Sequence, residues 1–186
     1  MLNRTMDIRF LISQDIDAYR DLRLHALRES PTAFASSFEQ EAQYPLTAFA
    51  HRLHLDDDVN GVFGAFGDGD RLVGMLGFSR ETRLKRAHVG ALWSLYVLPE
   101  FRGQGVGARL LDGAIAHARQ LSGLRQITLS VTAGNGAAGS LYRSRGFKSF
   151  GLARAASCLD GNYFDEEYLA LHVGSSERLS RDQRHC

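Results

Sequence analysis

The sequence predicts an α/β fold: one domain holding a mixed sheet flanked by helices. Three observations carry that prediction. A chain of 186 residues suits a single domain, and 44% hydrophobic content lets it bury a substantial core. Short apolar runs bounded by turn residues mark antiparallel strands in its middle. Its second half alternates strand and helix patterns: strand, helix, strand, helix, then two strands.

The elements follow in order. Residues 6–12 read as a short strand. Ser13 and Asp15 offer caps for a helix over residues 16–28, in which Ile16, Tyr19, Leu22, Leu24 and Leu27 share one broad face. Ser30-Pro31 ends it. Residues 33–55 are less regular, with a helix predicted over 47–55 and a polar turn at 56–61. The apolar runs 62–66 and 71–79, separated by Gly67-Asp68-Gly69-Asp70, signal a hairpin. A break at 80–88 with five charged residues leads into an apolar strand over 89–98. An amphipathic helix is predicted over 109–121, because Val106, Leu110, Leu111, Ala114, Ala118 and Leu121 keep helical spacing. Ser122-Gly123 stops it, and residues 126–131 form a strand. Asn135 caps a short helix that runs to Arg145, and Gly146 closes it. Residues 147–152 and 164–173 are the final strands. The domain therefore spans residues 6–173, and a polar, mobile tail is expected over 174–186.

Composition excludes several function classes. A formal net charge of +1 gives no footprint for nucleic acid. Cys158 and Cys186 are too far apart in sequence for a metal knuckle and make no disulfide framework. His51 and His54 lack an H-E-x-x-H frame, and Asp56-x-Asp58-x-Asn60-Gly61 lacks the glutamate of a calcium loop, so no metal is expected. No apolar run approaches a membrane span, and residues 1–6 lack the core of a signal peptide. The expectation is a cytoplasmic protein without a membrane partner, either a monomer or a homodimer.

The segment richest in chemistry is Arg102-Gly103-Gln104-Gly105-Val106-Gly107-Ala108, between a strand and a helix. Small residues there let the backbone approach an anion, and the first helical N–H groups point at it. A Walker A loop would end in Gly-Lys-Ser/Thr, but Gly107 is followed by Ala108 and Arg109. The dinucleotide fingerprint matches formally at Gly103, Gly105 and Ala108, yet residues 128–131 offer no ribose-binding acid. A turn without a ligand would have to tolerate its glycines at about 1 kcal/mol for each one inside the helix.

Arg102-x-x-Gly105-x-Gly107, with Leu95-Tyr96-Val97 before it and Asn135…Ala138…Leu141-Tyr142…Gly146-Phe147 after it, resembles the GNAT superfamily of N-acetyltransferases. The likeness spans residues 62–150, and Leu22 to Leu27 through Ser36-Ser37-Phe38-Glu39 looks like the helical start of many small members. The resemblance implies a twisted, mostly antiparallel sheet, splayed where acetyl-CoA enters as co-substrate. It implies that backbone groups of Gly103, Gln104, Gly105, Val106, Gly107 and Ala108 seat the pyrophosphate. Arg102 would add charge there, or stay a surface residue. Leu95, Tyr96 and Val97 would pair with the pantetheine arm through their main chain, as a peptide adds to a sheet edge. Asn135, Ala138 and Leu141 would face the cofactor, with Asn135 also free to cap its helix.

The same resemblance makes Tyr142 the candidate catalytic acid. Acyl transfer from a thioester to an amine expels a thiolate from a tetrahedral intermediate. A phenol near the sulfur donates a hydrogen bond or proton as that charge develops. The amine must also lose a proton. Some members carry a glutamate on the strand before the glycine loop, but residues 89–98 hold neither acid nor histidine. Ser94 could hold a water, His88, Glu39 or Glu81 could reach in, and ordered water is the most economical path. Arg143 and Arg145 could meet phosphate or face solvent. Tyr163, Phe164, Asp165, Glu166 and Glu167 border the acceptor pocket in resembling proteins, where acids suit a cationic amine. The expected acceptor is a small primary amine. A protein N-terminus or lysine is the alternative, and a non-catalytic acyl-CoA-binding module is a third reading.

Overall fold

The computed structural model describes residues 6–174. The tail beyond Gly174, with Cys186, and residues 1–5 lie outside the described residues. Seven strands form one sheet: β1 (Asp7–Phe10), β2 (Gly61–Phe66), β3 (Leu72–Arg80), β4 (Val89–Val97), β5 (Gln126–Thr132), β6 (Lys148–Leu159) and β7 (Asn162–His172). Their order is β1-β2-β3-β4-β5-β7-β6, antiparallel throughout except for the parallel pair β4-β5. The helices are α1 (Ile16–Glu29), α2 (Phe38–Glu41), α3 (Leu46–Leu53), α4 (Val106–Gln120) and α5 (Gly136–Ser144).

The predicted mixed sheet is present, and β2 and β3 are buried along nearly their whole length. Burial at successive residues of a strand requires cover on both faces. Helix α4 packs along β1 to β4, while α1 and α3 pack together and onto β3 and β2. Sequence boundaries shift where tertiary partners act. Asp15 does not cap α1 with its side chain; its carboxylate accepts instead from the Ile12 N–H (2.8 Å) and from Arg9 (2.7 Å). Helix α4 begins at Val106 rather than Arg109, because Gly105 turns the chain into it at φ 79°.

The largest correction lies at the end of the chain. The sequence reading stops β6 at residue 152 and starts β7 at 164. The two strands in fact continue to a two-residue turn at Asp160-Gly161, with φ of 49° and 77°. Positive φ at both central positions is the hairpin geometry that an Asp-Gly pair favours. Arg154-Ala155-Ala156 shows no strand alternation, because a bulge between Ala153 and Ser157 interrupts the register there.

Close approach, rather than conformation, requires glycine at position 77. Gly77 lies opposite Trp93 across β3 and β4, and a Cβ there would sit 2.2 Å from the indole. Gly77→Ala is expected to destabilise the fold by about 1–3 kcal/mol through overpacking. A urea midpoint equal to that of the unsubstituted protein would contradict this packing.

Candidate active site

The site begins where β4 and β5 part. Their parallel pairing covers only Val89–Ala91 against Gln126–Thr128. Beyond it, β4 keeps β3 on one side and faces a gap on the other. Ser94, in the left-handed region at φ 57°, bends the strand at this point. The Leu98 N–H donates to the Val73 carbonyl across β3 (2.9 Å). Backbone groups alternate in direction along a strand, so those of Leu95 and Val97 point into the gap.

The gap ends on the first turn of α4. Arg109 N–H donates to the Gly105 carbonyl (3.0 Å), which leaves the N–H groups of Val106, Gly107 and Ala108 without a partner inside the helix. No side chain caps this helix and its first turn holds no acid. Its positive end is therefore open to an anion. Helix α5 forms the facing wall, started by Asn135, whose Oδ1 accepts from the Ala138 N–H (3.2 Å).

Together these parts enclose a cleft of about 480 Å³. Its walls include Leu95, Tyr96, Val97, Arg102, Gly103, Gly105, Val106, Gly107, Ala108, Asn135, Ala138 and Leu141. Gln104 is outside this set, its amide donating to the Glu100 carbonyl (2.9 Å). The Arg102 charge is already met: its guanidinium pairs with Glu29 (2.6 Å) and its Nε donates to the Val97 carbonyl (2.9 Å). The Arg102 guanidinium, with Ser30 and Tyr96, holds the Glu29 carboxyl down at about 2. Burial, with Glu29 beside it, pushes the Tyr96 phenol up to about 12. Arg143 and Arg145 are likewise paired, with Glu167 (2.6 Å) and Asp112 (3.0 Å).

Tyr142 follows the lining residue Leu141 but is not itself among the cleft walls. It is 7% exposed and packs edge-on against Phe147. Desolvation raises its phenol to about 12, so it is a protonated donor at neutral pH.

A second cleft of about 650 Å³ adjoins the first. Ala33 lines both, and the two meet along β4 at Ser94 and Leu95. Its walls include Arg23, Phe34, Glu41, Arg52, Trp93, Ser94, Thr132 and Glu166. Glu41 has no exposure, yet it is ionised between two cations. Arg23 grips it with Nε (3.0 Å) and a terminal nitrogen (2.7 Å), and Arg52 adds a third contact (2.7 Å). Burial alone would raise this carboxyl, but the hydrogen bonds from Arg23 and Arg52 outweigh it and hold it at about 2. The other terminal nitrogen of Arg23 donates to Ser94 Oγ (2.9 Å), fixing the bend of β4.

The sequence reading misses this charged group. Its one local signal is Arg23, which falls on the buried face of α1 beside Leu22, Ala26 and Leu27. The candidate bases separate clearly. His88 and Glu81 line neither cleft, Glu81 being paired with Arg83 (3.1 Å). Glu39 lies in an adjoining groove. Of the acids at residues 165–167, Glu166 alone reaches the second cleft, since Asp165 pairs with Arg154 and Glu167 with Arg143. Cys158, exposed, lines only the adjoining groove. Among the described residues, no cluster of three or more His, Cys, Asp or Glu side chains could hold a metal ion, and no helix is long and apolar enough to cross a membrane.

Residues 23–147 match the family model described as the acetyltransferase (GNAT) family. A mycothiol acetyltransferase from Geodermatophilus obscurus is 38% identical over 130 residues, which is 65% of this chain and 39% of that protein. The chain thus spans about two fifths of that relative's length. Among solved structures, a phosphinothricin acetyltransferase from Sinorhizobium meliloti in complex with acetyl-CoA superposes with a TM-score of 0.75 at 20% identity, covering 91% of this chain and 89% of that one. Ribosomal-protein-alanine N-acetyltransferase from Brucella melitensis gives 0.72 at 24% identity, covering 89% and 99%. At these identities the structural matches speak for the fold.

Proposed function

Because the chain belongs to the GNAT family of acetyltransferases, we propose that it transfers an acetyl group from acetyl-CoA to a small primary amine. The observation that carries this reading is the gap beside β4 leading onto the open N-terminus of α4. In it the pantetheine arm runs along the main-chain groups of Leu95 and the N–H of Val97, whose carbonyl already accepts from Arg102 Nε, and the N–H groups of Val106, Gly107 and Ala108 receive the pyrophosphate. The thioester then lies where the two clefts meet, and the amine enters from the larger one.

The chain's own residues have separate tasks. Ser94, fixed by Arg23, holds the bend that opens one cleft to the other. Glu166 has no ion pair among the described residues and takes up the amine's proton, directly or across a water. The amine nitrogen bonds to the thioester carbon, the carbon–sulfur bond of the resulting intermediate breaks, and Tyr142 donates toward the departing thiolate.

Two measurements test this. Thiol release from acetyl-CoA is followed across amines, polyamines, amino acids and peptides, and CoA affinity is measured by calorimetry. An added side chain at Gly107 would meet Leu141 and Val97 on the cleft floor, at 3.4 and 3.7 Å from its Cβ. Gly107→Val is expected to weaken acetyl-CoA binding at least about tenfold by filling the cleft. Its thermal midpoint should move little, since the site is partly exposed. Unchanged affinity would remove the donor assignment, and tight binding without turnover of any amine would leave a non-catalytic acyl-CoA module.

A protein acceptor is the second reading, favoured by one observation. The larger cleft continues into a groove of about 640 Å³ along the β6-β7 hairpin, sharing Phe34, Ser36, Gln40 and Glu166. Peptides turned over faster than any small amine would select it.

A further inference from the structure

The larger cleft carries a fixed positive charge on its helical wall. Two guanidiniums, Arg23 and Arg52, face one carboxylate, Glu41, so the group keeps one net positive charge. Arg23 and Glu41 are sealed from solvent, whereas 29% of the Arg52 side chain is exposed. Arg52 spends one terminal nitrogen on Glu41 and lies beside the buried Tyr19 hydroxyl, and it meets no second carboxylate among the described residues. A cation held in a protein wall has lost hydration that only an anion or water restores. The opposite sign comes from β7, where Glu166 lines the same cleft. The cleft therefore presents a cation and an anion to one ligand, beside the bend at Ser94.

We propose that the acceptor is an amino acid: an amine that carries its own carboxylate, with the carboxylate on Arg52 and the amine directed toward Glu166 and Ser94. This deepens the acetyl-transfer reading and rests on it. A single net positive charge balances a monoanion rather than a phosphate dianion. The planar fork of a guanidinium also matches a carboxylate through paired N–H donors. Glu41 is then a positioning residue, holding two arginines in the wall that would otherwise repel each other.

The test compares amino acids with their carboxamides, which keep the side chain and remove the anion. Rates are corrected for the fraction of free amine. The unsubstituted enzyme is expected to favour the acid by about 10–100-fold in kcat/KM, the range for a charge-assisted pair. Arg52→Gln should bring that ratio close to one, and Arg52→Lys should restore part of it. The Arg23–Glu41 pair survives in both variants, and thermal midpoints check that they fold. Carboxamides used as well as acids, or Arg52→Gln slowing both alike, would overturn the proposal. A preference for the amide, which resembles a peptide's first residue, would overturn it in favour of the protein acceptor. If no amine releases thiol, the acetyl-transfer reading falls separately. Calorimetry with N-acetyl amino acids and their amides then decides the pocket: tighter binding of the acid that depends on Arg52 supports it, and equal binding overturns it.

Discussion

Replacing Tyr142 with phenylalanine is expected to lower kcat about 100-fold, with the KM for acetyl-CoA nearly unchanged, where chemistry limits the rate. The size follows from the environment of the phenol. At 7% exposure it acts in a medium where one donor to a developing charge is worth about 10²–10³ in rate. Its raised pKa also decides how it acts. A phenol at about 12 does not fully protonate a thiolate whose own pKa is about 8.5, since that transfer runs uphill. In the proposed mechanism Tyr142 would therefore serve as a hydrogen-bond donor while the carbon–sulfur bond breaks, with solvent supplying the final proton. It follows that the rate shows no descending limb from Tyr142 up to about pH 10, because the phenol is still protonated there. The substitution removes only a hydroxyl, so the thermal midpoint should stay close to that of the unsubstituted protein. Full single-turnover activity in the phenylalanine variant would end the assignment.

The largest effect on stability is expected at Glu41. Glu41→Ala leaves Arg23 buried without its counter-ion, and breaking such a pair costs about 3–5 kcal/mol. At about 2–4 °C per kcal/mol for a chain of this size, the midpoint should fall by about 10 °C. The pH dependence has a definite sign. The Glu41 carboxyl titrates near 4.5 when unfolded and at about 2 in the fold. A depressed carboxyl contributes stability that is present in full above about 4.5 and is lost as pH falls toward about 2. Denaturation profiles should show this acid loss in the unsubstituted protein and a shallower one in Glu41→Gln. Equal slopes would mean that the ion pair does not govern acid stability.

Much of the cleft beside β4 is legible in the chain because its determinants are local. Gly105 turns the backbone into α4 at positive φ, Asn135 caps α5, and both act within a few residues. The hairpin turn at Asp160-Gly161 was also present in sequence. Periodicity alone does not reveal the strands around it, because the bulge between Ala153 and Ser157 breaks the alternation that marks a strand. Arg102 shows the limit of a motif. Its position within the glycine loop leaves it open between a phosphate contact and a surface residue, and Glu29, 73 residues earlier in the chain, takes its charge.

The sequence by itself determined the order of strands and helices, the glycine loop and the family to which the chain belongs. The first two rest on side-chain periodicity and on backbone preferences over a few residues, and the family rests on the resemblance of the motifs from Leu95 to Phe147, matched by the family model over residues 23–147. Only the tertiary structure decided that β4 and β5 pair for three residues and then separate, which opens the cleft that ends on α4. It alone brought Arg23, Glu41, Arg52 and Ser94 together from four separate elements and gave the larger of the two adjoining clefts its charge. Those contacts arise from packing and ion pairing across long stretches of chain, and no local spacing encodes them.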